Sequence, residues 1–122
     1  MVMKNDIREK IENGEISDRL SRQKYNRHVE GTGEFADYVA KQERLGKSRP
    51  SKLYLSFDEA QEILRLHAGT GNAHGGVSNV EFINLDKIVG VYEDKGRYIS
   101  SRRLQIIYGK RSSHLFPVKE LG

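Results

Sequence analysis

With no cysteine in the chain, the side chains best suited to proton chemistry are its four histidines. That absence removes thiolate nucleophiles, disulfides and cysteine-based zinc sites together. No carboxylate or second histidine stands at a ligand spacing such as His-x-x-x-His, so neither a metal nor another cofactor is expected. His114 lies in "GKRSSHLFP", sharing a turn with Lys110 and Arg111, and His28 lies in "NRHVEGT" beside Arg27. Nearby cations disfavour imidazolium, which biases both rings toward the neutral form that accepts a proton. On the residues alone, proton transfer and a plain hydrogen-bonding role at the edge of an element are both open. His67 falls on the apolar stripe of a helix, a structural position. His74 sits in a glycine-rich loop, as a solvent-exposed residue or as part of a substrate loop.

Charge distribution supplies the second half of such chemistry. The net charge is only +4, yet from Arg97 onward Arg97, Arg102, Arg103, Lys110, Arg111 and Lys119 are opposed by Glu120 alone. A second acid-free run is Arg44, Lys47, Arg49 and Lys52. If the two runs meet in space they form a phosphate-attracting face; if not, they are solvated surface.

The elements that must position these groups follow from periodicity. Between residues 4 and 22, Ile7, Ile11, Ile16 and Leu20 recur at near-helical spacing, broken at Asn13-Gly14, which predicts two short helical pieces. Thr32 caps a helix carrying Phe35, Tyr38, Val39 and Leu45 and ending at Gly46. "RPSKLYL" reads as a short strand, followed by a helix with a Ser56/Glu59 capping box and a stripe of Ala60, Ile63, Leu64 and His67. "GTGNAHGGVSN" is a loop without the Gly-Lys-Ser/Thr ending of a phosphate-cradling motif. "VEFI", "KIVGVYE", "GRYIS", "RRLQIIYG" and "SHLFPV" then read as strands whose short connections require antiparallel pairing. The predicted class is α+β, with N-terminal helices packed on a four- or five-stranded antiparallel sheet.

At 122 residues the chain is long enough for one core. A balance of 31% charged against 36% hydrophobic residues suits a polar globular domain better than a disordered chain. No apolar run approaches the roughly 18 residues of a membrane span, and "MVMKNDIREKIENGEISD" lacks the apolar stretch of a signal peptide. A soluble chain is expected, with a charged helical segment over 1–23 and a single α+β domain over 24–122.

Several of these stretches occur together in a known pattern. "NRHVEGTGEFADYV", "RPSKLYLSFDEAQEILRLHAGTG", "IVGVY" and "SRRLQIIYGKRSSHLFP", in that order and at those separations, resemble the type-50 polymorphic-toxin domain over roughly residues 24–118. The resemblance implies a ribonuclease of the barnase, EndoU, colicin and RelE-like superfamily. Such domains stand at the C-terminal tips of exported bacterial toxins and of phage head-morphogenesis proteins. It selects His28, Pro50-Ser51 with Leu53, the Ala68–Gly71 "AGTG", Arg103, Tyr108, Lys110 and His114. The chain departs from the family pattern at Ile107, Gly109 and Ser112, where members often carry histidine, serine and glycine.

Metal-free RNA cleavage must remove a proton from the ribose 2′-OH, stabilise a charged phosphorane and protonate the departing 5′-oxygen. The resemblance therefore implies His28 and His114 as base and acid, in either order, with Arg103 and Lys110 stabilising the phosphorane. Ser51 and Tyr108 would contact phosphate or ribose, and Arg102, Arg49 and Lys52 would follow the backbone. The bland roles are packing for Tyr108 and turn formation for Ser51. The implied partners are an RNA substrate and an acidic immunity protein, with action in the cytoplasm of a bacterial target cell after delivery by secretion or phage. Two other functions fit the same residues: a nucleic-acid-binding module without catalysis, and a phage or bacterial protein-interaction domain.

Overall fold

The computed structural model describes residues 6–73 and 77–121. It is α+β, as the alternation of patterns predicts. Helices α1 (Ile7–Glu12), α2 (Arg22–Asn26), α3 (Gly33–Arg44) and α4 (Phe57–His67) accompany strands β1 (Lys52–Leu53), β2 (Asn72–Ala73), β3 (Val80–Asn84), β4 (Gly90–Asp94), β5 (Arg97–Ser101), β6 (Arg103–Ile107) and β7 (His114–Val118). Local chemistry sets the helix starts. The Thr32 hydroxyl accepts from the Phe35 N–H, and Ser56 and Glu59 exchange side-chain and backbone bonds in a complete capping box.

The strands form two antiparallel sheets, ordered β1-β4-β5 and β2-β3-β6-β7, rather than one of four or five strands. The meander breaks after β3. Strand β6 returns to pair with β3, while the β4–β5 hairpin swings out and pairs with β1. Bonds from Leu85 N–H to Arg102 O and from Val89 N–H to Ser101 O bridge the break. Gly90 makes the junction passable, since a Cβ there would lie 2.1 Å from Lys52 O and 2.6 Å from Pro117 Cγ.

Two further differences from the sequence reading have local causes. Within the glycine-rich segment expected as loop, Asn72 and Ala73 pair with Phe82 and Glu81. That approach needs Gly71, whose Cβ would fall 2.1 Å from Phe82 O. The second helical piece expected before residue 22 is instead extended. Its backbone bonds the β6–β7 turn, with Ser17 N–H on Gly109 O, Ser21 N–H on Ser113 O and Ser113 N–H on Arg19 O. Helix α2 begins only after Ser21.

Strand alternation divides the four-stranded sheet into two faces. Ile83, Leu104, Ile106 and Leu115 turn to one side, where Ala60 and Leu64 of α4, Tyr25 of α2, and Ile7, Ile16 and Leu20 of the N-terminal segment complete the core. Register places Val80, Phe82 and Asn84 with Ile107, Gln105 and Arg103 of β6, and these with His114, Phe116 and Val118 of β7, on the other side. That second face carries the candidate site.

Candidate functional site

On β7 the sequence "HLFPV" alternates, so His114 and Phe116 share the outer face. His28 reaches the same place from the turn after α2. Its backbone is tied on both sides, with the N–H on Tyr25 O and the carbonyl accepting from Leu53 N–H at 2.7 Å. Both imidazoles stack on the Phe116 ring. The His28 centroid lies 5.2 Å away at 15°, and the His114 centroid 5.6 Å away at 25°. Tyr38 of α3 meets His28 edge-on at 5.8 Å. The two histidines, 86 positions apart in the chain, therefore converge on one aromatic ring.

Hydrogen bonding fixes one ring. His28 Nδ1 lies 2.9 Å from Ser51 O, an atom that can only accept, so Nδ1 carries the proton and Nε2 presents a lone pair. The Ser51 hydroxyl stands 3.2 Å from the same nitrogen. Ser51 thus positions His28 rather than lying open to a ligand; it is buried, as is His28. Burial holds the His28 pKa below the ordinary histidine value, with Arg27 adding to the depression and the Ser51 carbonyl opposing it. His114 is pushed down to about 4 by burial, then by the charges of Lys24, His28 and Arg27. Both rings are accordingly neutral at pH 7.

Arg103 lies on the same face, four positions down β6 from Ile107, which pairs with His114. It is buried, with its guanidinium 4.3 Å above the Phe82 ring, and its enclosed Nε has no hydrogen-bond partner. No ion pair involves it among the described residues. A buried guanidinium without a counter-ion is costly, and an anionic group on this face would relieve that cost. Gln105, between Arg103 and Ile107 and directly across from Phe116, completes a polar track along the face.

The other expected site residues lie elsewhere. Tyr108 is on the core face, buried, with its hydroxyl donating to Glu81 Oε1. Burial and that carboxylate raise its pKa far above the phenol range, so its expected contact with ribose or phosphate is replaced by a structural one. The parity of β6 decides this, since Tyr108 continues the inward set of Leu104 and Ile106. Lys110 is exposed in the β6–β7 turn, and Arg102 is exposed at the bend before β6. Lys52 is paired with Glu30 and lies 4.3 Å from the Tyr98 ring, while Arg49 makes long ion pairs of 3.9 and 4.0 Å to Glu43 and Glu93. His74 lies outside the described residues. His67 is only half-buried at the end of α4.

Sequence reasoning missed Phe116, the ring on which both histidines rest, and Lys24, whose charge adds to burial in depressing the His114 pKa. Phe116 was legible as the i+2 neighbour of His114. Lys24 was not, because its nearness to His114 depends on how α2 docks against β7.

A match to the bacterial toxin 50 family model covers residues 20–117, which include every element from α2 to β7 apart from the last residue of β7. The chain belongs to the bacterial toxin 50 family. No curated protein matches the chain, and no solved structure does. This toxin domain carries at Ile107 a residue that pairs directly with His114 on the outer face. The family pattern's further histidine would therefore stand beside His114. Gly109 departs from the pattern for a visible reason: a Cβ there would lie 2.4 Å from Ser112 O, so the tight turn admits only glycine. Among the described residues no helix is long and apolar enough to cross a membrane.

Proposed function

We propose that this toxin domain is a metal-independent endoribonuclease that cleaves RNA by attack of the 2′-OH on the adjacent phosphate, leaving a 2′,3′-cyclic phosphate. The observation that carries the reading is the meeting of two imidazoles on Phe116, with a buried guanidinium that makes no ion pair among the described residues on the same sheet face. His28 is the base, because Ser51 holds its proton on Nδ1 and leaves Nε2 to accept one from the 2′-OH. His114 is the acid. Burial and then the charges of Lys24 and Arg27 keep it neutral in the free protein; a bound phosphate offsets those charges and so favours the imidazolium that protonates the 5′-oxygen. Arg103 faces the charge that develops on the phosphorane, and Phe116 gives a base or ribose a flat surface beside both histidines. Lys110, Arg102, Arg49 and Lys52 contribute to backbone attraction from the rim.

An acidic immunity protein covering this face is the expected protein partner, by charge complementarity. The place of action is the cytoplasm of a bacterial target cell, reached by secretion or phage delivery.

A specific observation favours one alternative, a binding module without catalysis: Ile107 replaces the histidine that the family pattern puts opposite His114. Cleavage of a labelled oligoribonucleotide in EDTA separates the two. Wild type should yield products ending in 2′,3′-cyclic phosphate, and His28→Ala and His114→Ala should each lose about 10²- to 10⁴-fold in rate while keeping the wild-type circular dichroism spectrum. Intact RNA with a folded wild-type protein would leave the binding module.

A further inference from the structure

Beside the β6–β7 turn, three arginines line one cavity. Arg19 comes from the extended segment before α2, Arg22 from the first position of α2, and Arg111 from the β6–β7 turn; together with Phe57, Gln61 and Ser112 they line a cavity of about 430 Å³. Among the described residues no carboxylate lines it. Among the described residues none of the three guanidinia is within ion-pair distance of an acid. The walls are firmly held. Arg22 lies 3.9 Å over the Phe57 ring, Gln61 accepts from Leu20 N–H and donates to Asp18 O, and Ser113 is bonded to Ser21 and Arg19 through the backbone.

Three like charges from three separate segments repel one another unless an anion sits among them. Planar guanidinia with several fixed donors suit the oxygens of a phosphodiester better than a diffuse attraction would. In the chain, Ser112 of the pocket lies two residues before His114, with the buried Ser113 between them.

We propose that the Arg19–Arg22–Arg111 pocket is a phosphate subsite that holds a backbone phosphate of single-stranded RNA flanking the bond at His114, so that the substrate runs from the sheet face over the β6–β7 turn. This deepens the ribonuclease reading and rests on it for the direction of the strand.

The test uses the variant Arg19→Ala/Arg22→Ala/Arg111→Ala, whose substituted side chains are all exposed and leave the core intact. Binding of a 2′-O-methyl oligoribonucleotide, which lacks the attacking hydroxyl, is followed by fluorescence anisotropy across a salt series. The variant should bind about 10- to 50-fold more weakly at low salt, with a log–log salt slope shallower by about 0.7, the share of one phosphate on a single strand. In parallel, the KM for a long cleavable oligonucleotide should rise with kcat unchanged, while a dinucleotide substrate is cleaved as by wild type. Unchanged affinity and slope with intact cleavage would overturn the pocket and leave the ribonuclease standing. Lost binding alongside a wild type that cleaves nothing would support the pocket and sink the ribonuclease reading. If the variant kept its RNA affinity but lost binding of poly-glutamate, the arginines would be a surface for an acidic protein, and the subsite would be overturned.

Discussion

The two faces of the four-stranded sheet treat buried charge in opposite ways. On the core face Glu81 is completely enclosed, yet it accepts from the Gly69 and Gly71 N–H groups and from the Tyr108 hydroxyl. That carboxylate pins the glycine-rich turn after α4 to the sheet. On the outer face Arg103 is also buried, but its Nε has no hydrogen-bond partner among the described residues and its guanidinium lies over the Phe82 ring. His114, farther along the same face, is held neutral by burial and then by the charges of Lys24 and Arg27. A polar group enclosed for the sake of the fold is satisfied within the fold, because each missing bond costs stability. One enclosed and left unsatisfied points to a group from outside.

The sharpest way to break this contrast is to neutralise each charge in turn. Arg103→Met keeps the bulk and removes the unpaired charge. RNA cleavage should fall by about 10²- to 10³-fold, the loss seen when one fixed donor to a developing anion is removed. Urea denaturation should meanwhile show stability unchanged or raised by up to about 1 kcal/mol, since the fold loses no hydrogen bond or ion pair of that side chain and Met still packs on the Phe82 ring. Glu81→Leu should do the reverse to stability. It strands two backbone N–H groups and a tyrosine hydroxyl, for a loss of about 2–4 kcal/mol in the same urea experiment. If Arg103→Met were as destabilising as Glu81→Leu, the outer face would be structural too and the contrast would fail.

The same contrast explains what could be read from the sequence. Period-two alternation in "RRLQIIYG" and "SHLFPV" was enough to assign strands β6 and β7, and the capping chemistry at Thr32 and Ser56 was enough to start α3 and α4. These are local properties, set within a few residues. The split into two sheets was not legible, because it depends on β4 choosing β1 over β3, a long-range pairing permitted by Gly90. The convergence of His28 with His114 was a question the sequence could pose but not answer, since it turns on the docking of α2 against β7. Tyr108 shows the limit from the other direction. Its motif position suggested a ligand contact, while the parity of its own strand already turned it toward Glu81.

The outer face also makes a prediction about pH. Both histidines have folded-state pKa values below the ordinary 6.5, His114 at about 4. A reaction needing one ring neutral and one protonated peaks between the two values, so kcat/KM should be maximal on the acid side of pH 6.5 and fall toward alkaline pH. For stability the sign follows from proton uptake. Below pH 6.5 the unfolded chain binds protons that the folded histidines refuse, so the protein loses stability as pH falls from 6.5 through about 4. Thermal melts of His114→Gln should show a weaker loss over that window. A wild-type kcat/KM maximum above pH 7 would mean that the cations at Lys24 and Arg27 do not govern this pair.

The smallest effect is expected at Ile107, across the ladder from His114. If His28 and His114 suffice as base and acid, Ile107→His adds an imidazole to a site that already has both proton carriers. The rate at the optimum should then stay within about threefold of wild type, a change of under 1 kcal/mol in the barrier. The pH optimum should move slightly further to the acid side, because a third titrating ring beside His114, Lys24 and Arg27 makes protonation there harder still. A gain of about a hundredfold or more would carry a different lesson. It would show that the position opposite His114 normally supplies the second proton carrier, that His28 serves only to support Phe116, and that this chain is a weakened member of its family.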